Sequence, residues 1–496
     1  MSTTRLLVAI FCLFIMLPRA SEAQVKYKQI AKIKPRTSKE IAASPWGIGG
    51  ETMDRDYTIF ENWKEYLAPL GAKKIRLQAG WGKTDKGNGN YDFHWLDEIV
   101  DGVIDAGVEP WLQTSYGNKA YEGGGSPFLG GAIPNSPEAL EAWDNWVRAM
   151  AKRYAGKVKI WEIWNEPDLH QNEFSVIDYA NLYIRTAEII RQYIPEAELY
   201  ALSLAFPGRT EYTEYFLKYL KERDKLHLVD VIAFHGYFFN PDRAYDDPAI
   251  LPEGSSWSPG PDYYALRFSA EKLRRTVSRY SDKIQLLQGE QGAPSSKSSG
   301  ALDRHDWTER EQAKWLLRRL LNDLGHDIPA NYFGIMDMNY GVRQGDKFNT
   351  MNTKGMIKAN EDRTVAYLKP SYYAFQHLTS TFDHAIERIP NYHYIAETNQ
   401  PLTFFGWRQK GSDRQLVTFW FRKDMPQHEN RYEEVNFQFK QGHFEDPVYV
   451  DLRTGEVYEI PEKDWSREGT EYSFKNIPVY DSPVMIADRS VLYLEN

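Results

Sequence analysis

Lys159-Ile-Trp-Glu-Ile-Trp-Asn-Glu-Pro-Asp168 reads as a short apolar strand and the loop that ends it, with Glu166 where one gives way to the other. Alternating β-branched and aromatic residues favour extended backbone as far as Trp164, and Pro167 has no N–H with which to continue a ladder. A second stretch, Gln285-Leu-Leu-Gln-Gly-Glu-Gln-Gly-Ala-Pro294, has the same form and places Glu290 at the strand end.

Working outward, six more apolar runs of strand length occur, making eight: Trp46–Gly50, Lys74–Gln78, Glu109–Thr114, Lys159–Trp164, Leu199–Leu204, Val229–His235, Ile284–Gly289 and Tyr332–Met338. Amphipathic stretches of helical period follow them at Ile59–Leu70, Phe93–Ala106, Pro137–Tyr154, Val176–Tyr193, Glu211–Arg223, Tyr263–Tyr280, Glu309–Leu324 and Pro370–Thr381. Strict alternation of strand and helix predicts a parallel sheet, and eight repeats predict an α/β fold of the closed (β/α)8 TIM barrel type over residues 45–382. From 383 to 496 the pattern changes to short strands with turn signals, among them Leu416–Phe421, Val435–Phe439, Val448–Leu452, Glu456–Ile460 and Val484–Ala487. This predicts a C-terminal β-sandwich domain, to which the N-terminal segment 24–44 could add a strand.

In such barrels the chemistry gathers where strands end. The residues there are Arg76, Gln113, Asn165, Glu166, His235, Tyr237, Glu290 and Asp337. Two carboxylates on separate strand ends, about 5 Å apart, are what a retaining glycosidase needs: one lends and recovers a proton, and the other attacks the anomeric carbon. Glu166 suits the acid/base role and Glu290 the nucleophile. Asn165 is placed to bind a sugar hydroxyl, Arg76 and Tyr237 to orient Glu290, and His235 to modulate Glu166. Glu162 lies within its strand and reads as a buried acid paired inside the barrel.

Trp164-Asn-Glu-Pro167, with Gly289-Glu-Gln291 further along, resembles clan A of the glycoside hydrolases. Phe234-His-Gly-Tyr237 and Ile75-Arg76 fit the same pattern, and Trp161-Glu-Ile-Trp-Asn-Glu-Pro-Asp168 is similar to the acid/base motif of family 39. The resemblance implies the acid/base after the fourth strand, the nucleophile after the seventh, no cofactor, and a poly- or oligosaccharide substrate cleaved through a covalent glycosyl-enzyme. Two departures concern the sugar rather than the chemistry. Met336-Asp-Met-Asn339 stands where many clan members carry a Trp at the eighth strand end, and Leu112-Gln-Thr-Ser-Tyr116 ends the third strand without a His. A glycan-binding barrel without catalysis and a transglycosylase using the same two carboxylates are the competing readings.

Asp337 and Asn339 either bind substrate hydroxyls or cap their loop. Trp81, Trp111, Trp257 and Trp307 are candidate sugar platforms, of which one or two are expected to stack on ligand and the rest to pack. Arg343, Lys347, Lys354, Lys358 and Arg363 read first as a solvated loop face, and second as a site for a uronate or sulfated sugar. No His-Glu-x-x-His pattern occurs among the 11 His, so a catalytic metal is not expected.

Arg5, the apolar stretch Leu6–Leu17 and the small residues around Ser21-Glu22-Ala23 read as a cleavable secretory signal over 1–23, implying a secreted or periplasmic protein. Cys12, the only cysteine, would leave with it. The lack of an Asn-x-Ser/Thr sequon points to a bacterial source. A net charge of −9 gives no electrostatic footprint for nucleic acid, and no other run is long and apolar enough to cross a membrane.

Overall fold

The apolar runs pair in chain order. Strands Trp46–Gly49, Lys74–Gln78, Glu109–Thr114, Ile160–Ile163, Glu198–Leu204, Val231–His235, Gln285–Glu290 and Ala330–Tyr332 form a closed parallel barrel in the computed structural model. The first strand closes on the last, with Trp46 opposite Ala330 and Ile48 opposite Tyr332. The structure describes residues 25–495 apart from 88, 130, 170, 172, 243–269, 298–300, 343–350 and 423–424. The leader at 1–23, Trp257, Arg343 and Lys347 therefore lie outside the described residues. No helix among the described residues is long and apolar enough to cross a membrane.

A barrel strand has side chains inside the barrel and helices against its other face, so burial is continuous rather than alternating. Every residue of Val231–His235 is buried accordingly. The surrounding helices start at sites the sequence marks. Ser175 accepts from the Asp178 N–H while the Asp178 carboxylate accepts from Ser175, and Thr308 and Glu311 repeat this capping box.

Two expected elements are corrected. The run Ile59–Leu70 is not one helix: only Phe60–Trp63 is α-helical, followed by 3-10 turns at Lys64–Tyr66 and Ala68–Leu70. Pro69 offers no N–H and disfavours helical backbone at Ala68, and Gly71 ends the segment at φ 71°. The eighth barrel strand is Ala330–Tyr332 rather than Tyr332–Met338. Beyond it Ile335 and Met336 are buried in an irregular stretch, and Met338–Asn339 pairs instead with Met351–Asn352. A short apolar run does not by itself distinguish a ladder from a buried loop.

The C-terminal region is antiparallel. One sheet runs Gln29–Lys32, Glu456–Glu459, Pro447–Asp451, Val484–Asp488, Gln415–Phe421, Leu402–Gln409 and Ile386–Ile389 in spatial order. The other runs Tyr394–Ala396, Glu433–Phe439, Glu471–Val479 and Trp465–Glu468. Val435, Phe437 and Phe439 turn inward on alternate positions, and the rings of Phe419 and Phe437 meet across the sheets at 4.6 Å.

The helix Glu309–Gly325 lies between barrel and sandwich and is buried almost all round, including the charged residues Glu311, Lys314, Arg318, Arg319 and Asp323. Lys314 Nζ reaches Asp481 Oδ1 at 2.8 Å, and Arg318 Nη2 reaches Asp242 Oδ2 at 2.5 Å, where Trp420 Nε1 also donates. Removing one partner of a buried pair leaves the other charge uncompensated. Lys314→Met should therefore lower the unfolding free energy by about 3–5 kcal/mol, read as a lower midpoint in urea denaturation.

Candidate active site

Glu166 is held by backbone that few side chains adopt. Trp164 and Glu166 have φ of 66° and 50°, in the left-handed region where a Cβ is disfavoured. The loop is fixed on both sides. The Glu166 N–H donates to Ser203 O at 3.2 Å, and the Asp168 carboxylate accepts the N–H groups of Ala205 and Phe206 at 2.9 and 2.8 Å. Burial pushes Asp168 up to about 6, against the pull of those two hydrogen bonds. The Glu166 side chain meets His235, whose Nδ1 lies 2.8 Å from Glu166 Oε1 and 3.7 Å from Glu290 Oε2. Burial pulls the His235 imidazole down, but the Glu290 charge and the Glu166 hydrogen bond outweigh it and raise it above its ordinary value.

Glu290, ending the seventh strand, accepts from Arg76 Nη1 at 2.6 Å on Oε2 and from the Tyr237 hydroxyl at 2.6 Å on Oε1. Burial alone would raise its pKa. The charges of His235 and Arg76 and the Tyr237 hydrogen bond reverse this and hold the carboxyl below the usual range. Arg76 is fully buried and also forks onto Glu162, Nε to Oε2 at 2.8 Å and Nη2 to Oε1 at 2.6 Å. Asn165 Oδ1 accepts from Arg76 Nη2 at 2.7 Å, and its Nδ2 donates to the Tyr116 hydroxyl at 2.9 Å. The side chains of Glu166 and Glu290 keep 11% and 12% exposure, whereas those of Glu162 and Glu51 have 0% and 1%. Among these four acids only the first two open onto the pocket. One oxygen of each, with a His235 nitrogen, falls within a span of 4.8 Å.

Such a trio could converge on a cation. Here Glu290 accepts from the Arg76 guanidinium and from Tyr237, and Glu166 shares a hydrogen bond with His235, so these groups already hold one another.

The cavity above the two carboxylates has a volume of about 340 Å³. Leu129, Leu169, Phe206, Pro207 and Phe238 form apolar lining, while Arg55, Gln78, Asn352 and Lys354 are polar. Of the residues expected at the site, Asn165, Glu166, His235, Tyr237 and Glu290 line the cavity. Arg76 and Gln113 lie beneath it, with Gln113 Nε2 donating to Glu162 at 2.7 Å.

Asp337 is not at the site. It is fully buried and paired with Lys369 Nζ at 2.6 Å, because the strand ends before it and the chain turns it into the interior. Trp81, Trp111 and Trp307 are buried packing residues that do not line the cavity, so none of the described Trp candidates is a sugar platform there. From the basic loop, Lys354 does reach the cavity, and burial pushes it down to about 8. Lys358 leans toward Asp337, and Arg363 bonds the Asp56 carbonyl. Sequence reasoning missed Arg55, Gln78, Tyr116 and Phe333. Each lies at or shortly after a strand end, and Phe333 stands at the end of the eighth strand once its true boundary is known.

The sequence model described as Glycosyl hydrolases family 39 matches residues 77–261. A beta-xylosidase of Caldicellulosiruptor saccharolyticus is 28% identical over 156 residues, covering 27% of this chain and 31% of that protein. A beta-xylosidase of Geobacillus stearothermophilus is 24% identical over 159 residues, covering 30% and 31%. The match thus spans less than a third of either relative's length. A solved family 39 glycoside hydrolase from Bacteroides cellulosilyticus WH2 superposes with a TM-score of 0.62 at 17% identity, over 92% of this chain and 83% of that one. A monomeric beta-xylosidase from Caulobacter crescentus CB15 gives 0.56 at 16% identity, over 92% and 97%. At these identities the solved structures speak for a shared fold. The family match falls on the stretch that carries Asn165-Glu166 and His235, so this chain is similar to family 39 glycoside hydrolases over residues 77–261 and shares its fold with the solved structures.

Proposed function

We propose that the protein is a retaining glycoside hydrolase working by double displacement, with Glu290 as nucleophile and Glu166 as acid/base. The observation that carries this reading is the spacing of the two carboxylates. One oxygen of each lies within 4.8 Å of the other, which suits the close carboxylate pair of retaining enzymes better than the wider pair that leaves room for water in inverting ones.

In the first step a Glu290 oxygen bonds to the anomeric carbon as the glycosidic C–O bond breaks, and the Glu166 proton passes to the departing oxygen. In the second, Glu166 takes a proton from water, whose oxygen displaces Glu290 and restores the free carboxylate. Arg76 and Tyr237 hold Glu290 ionised and aimed, and His235 fixes the orientation of Glu166. Asn165 lines the same cavity, where it can meet a sugar hydroxyl. The relatives' names make β-xylosides the first substrates to try. Export of the mature chain belongs to the same proposal, and N-terminal sequencing of the purified protein from its natural host tests it: a start at Met1 would remove it.

Proton NMR of fresh product should show retained anomeric configuration, and inversion would end the two-step reading. Glu166→Ala should lose about 10²–10⁴-fold in kcat/KM on substrates with poor leaving groups and far less on activated aryl glycosides, because only the former need the proton. Tyr237→Phe removes a hydrogen bond to the charged form of Glu290. Its carboxyl should therefore protonate at higher pH, moving the acid limb of kcat/KM upward by about one pH unit.

A further inference from the structure

Arg76 serves three carboxylates. Its Nε and Nη2 are committed to Glu162, while Nη1 is shared between Glu290 at 2.6 Å and Glu51 at 2.9 Å. Glu51 follows the first barrel strand, and the double displacement gives it no part. Its side chain is 1% exposed. Gly49 is what admits it, since a Cβ there would fall 2.3 Å from Glu51 Oε2. Among the described residues that oxygen accepts a hydrogen bond from no other side chain. Three anions on one cation in a dry barrel are costly, and a neutral Glu51 relieves the excess. Burial pushes Glu51 up to about 7, with Arg76 pulling it down and Glu290 pushing it further up. The charged and titratable groups facing it are Arg76 from the second strand, Glu290 from the seventh, Glu162 across the guanidinium, and the Tyr340 phenol beyond the eighth.

We propose that Glu51 is a positioning residue that keeps a proton while Glu290 is an anion and releases it when Glu290 becomes a neutral ester, so that Arg76 Nη1 passes from one carboxylate to the other. This rests on Glu290 being the nucleophile. Bond formation to the anomeric carbon removes one negative charge from the cluster, and departure of the Glu51 proton to solvent restores it. The proton that the leaving oxygen receives is the separate one on Glu166. Arg76, Glu162 and whichever of Glu290 and Glu51 is ionised then keep the same net charge throughout the cycle.

Infrared difference spectra of the full chain, taken across a pH titration, report protonated carboxyl groups by their carbonyl band. We expect the wild type at about pH 6 to show such a band that Glu51→Gln lacks. In Glu290→Gln, where the neighbouring anion is gone without any sugar bound, its midpoint should fall by about 1 pH unit or more. No Glu51-dependent band in the wild type, or a midpoint unmoved by Glu290→Gln, would overturn the proposal. If Glu51→Gln does not fold, carboxyl-¹³C glutamate in wild type and in Glu51→Asp supplies the assignment, since aspartate stays unlabelled. Kinetics separate the two readings. An inactive Glu290→Gln with an unmoved band removes only the role of Glu51, whereas a fully active Glu290→Gln removes the nucleophile and this proposal together.

Discussion

A single guanidinium, that of Arg76, sits inside the barrel with no solvent exposure, and carboxylates reach it from beyond the first strand, from within the fourth and from the end of the seventh. Charges taken out of water must be paired in good geometry, and breaking such a pair typically costs about 3–5 kcal/mol. The planar fork of arginine suits this task, since it can donate along two edges at once. One edge is fixed by Glu162, which Gln113 and Ser203 also hydrogen-bond. The other is left to Glu51 and Glu290. The position of the pocket carboxylate is thus set from below, by a buried lattice of polar contacts.

The two open carboxylates differ because their neighbours differ. Glu290 has a cation and a phenol donating to it, which favours its ionised form. Glu166 has His235 as its close partner among the described residues and stands on left-handed backbone. Strained backbone persists where the surroundings over-determine it. Here the Asp168 carboxylate clamps the loop to the N–H groups beyond the fifth strand.

The sandwich contributes to the site through the helix it covers. Asp323 and Arg319 on Glu309–Gly325 both engage the Gln291 side chain, next in the chain to Glu290. Buried between the two domains, this helix keeps its charged residues in register with the barrel. The same helix carries Lys314 and Arg318, which reach Asp481 and Asp242. Domain contact and site geometry therefore share one rigid element.

Local pattern was enough to place Glu166 and Glu290 at strand ends, because strand and helix periodicities are written in neighbouring residues and the barrel turns every strand end to one face. It also marked Glu162 as an interior acid, since a carboxylate in mid-strand at that point has to face the barrel. What tertiary structure alone decided is who meets whom. Arg76 finds Glu162 across 86 residues and Glu290 across 214, separations at which sequence carries no local signal. Asp337 shows the converse. Its neighbours read as a strand end, but the ladder stops at Tyr332, and the carboxylate pairs with Lys369 inside the fold instead of facing the pocket. Trp81, Trp111 and Trp307 went inward for a related reason, since a large ring gains more from full burial than from a place at the rim. Glu51 could be read from the chain only as an acid after a short strand. Its shared hold on Arg76 exists because Gly49 leaves room for it.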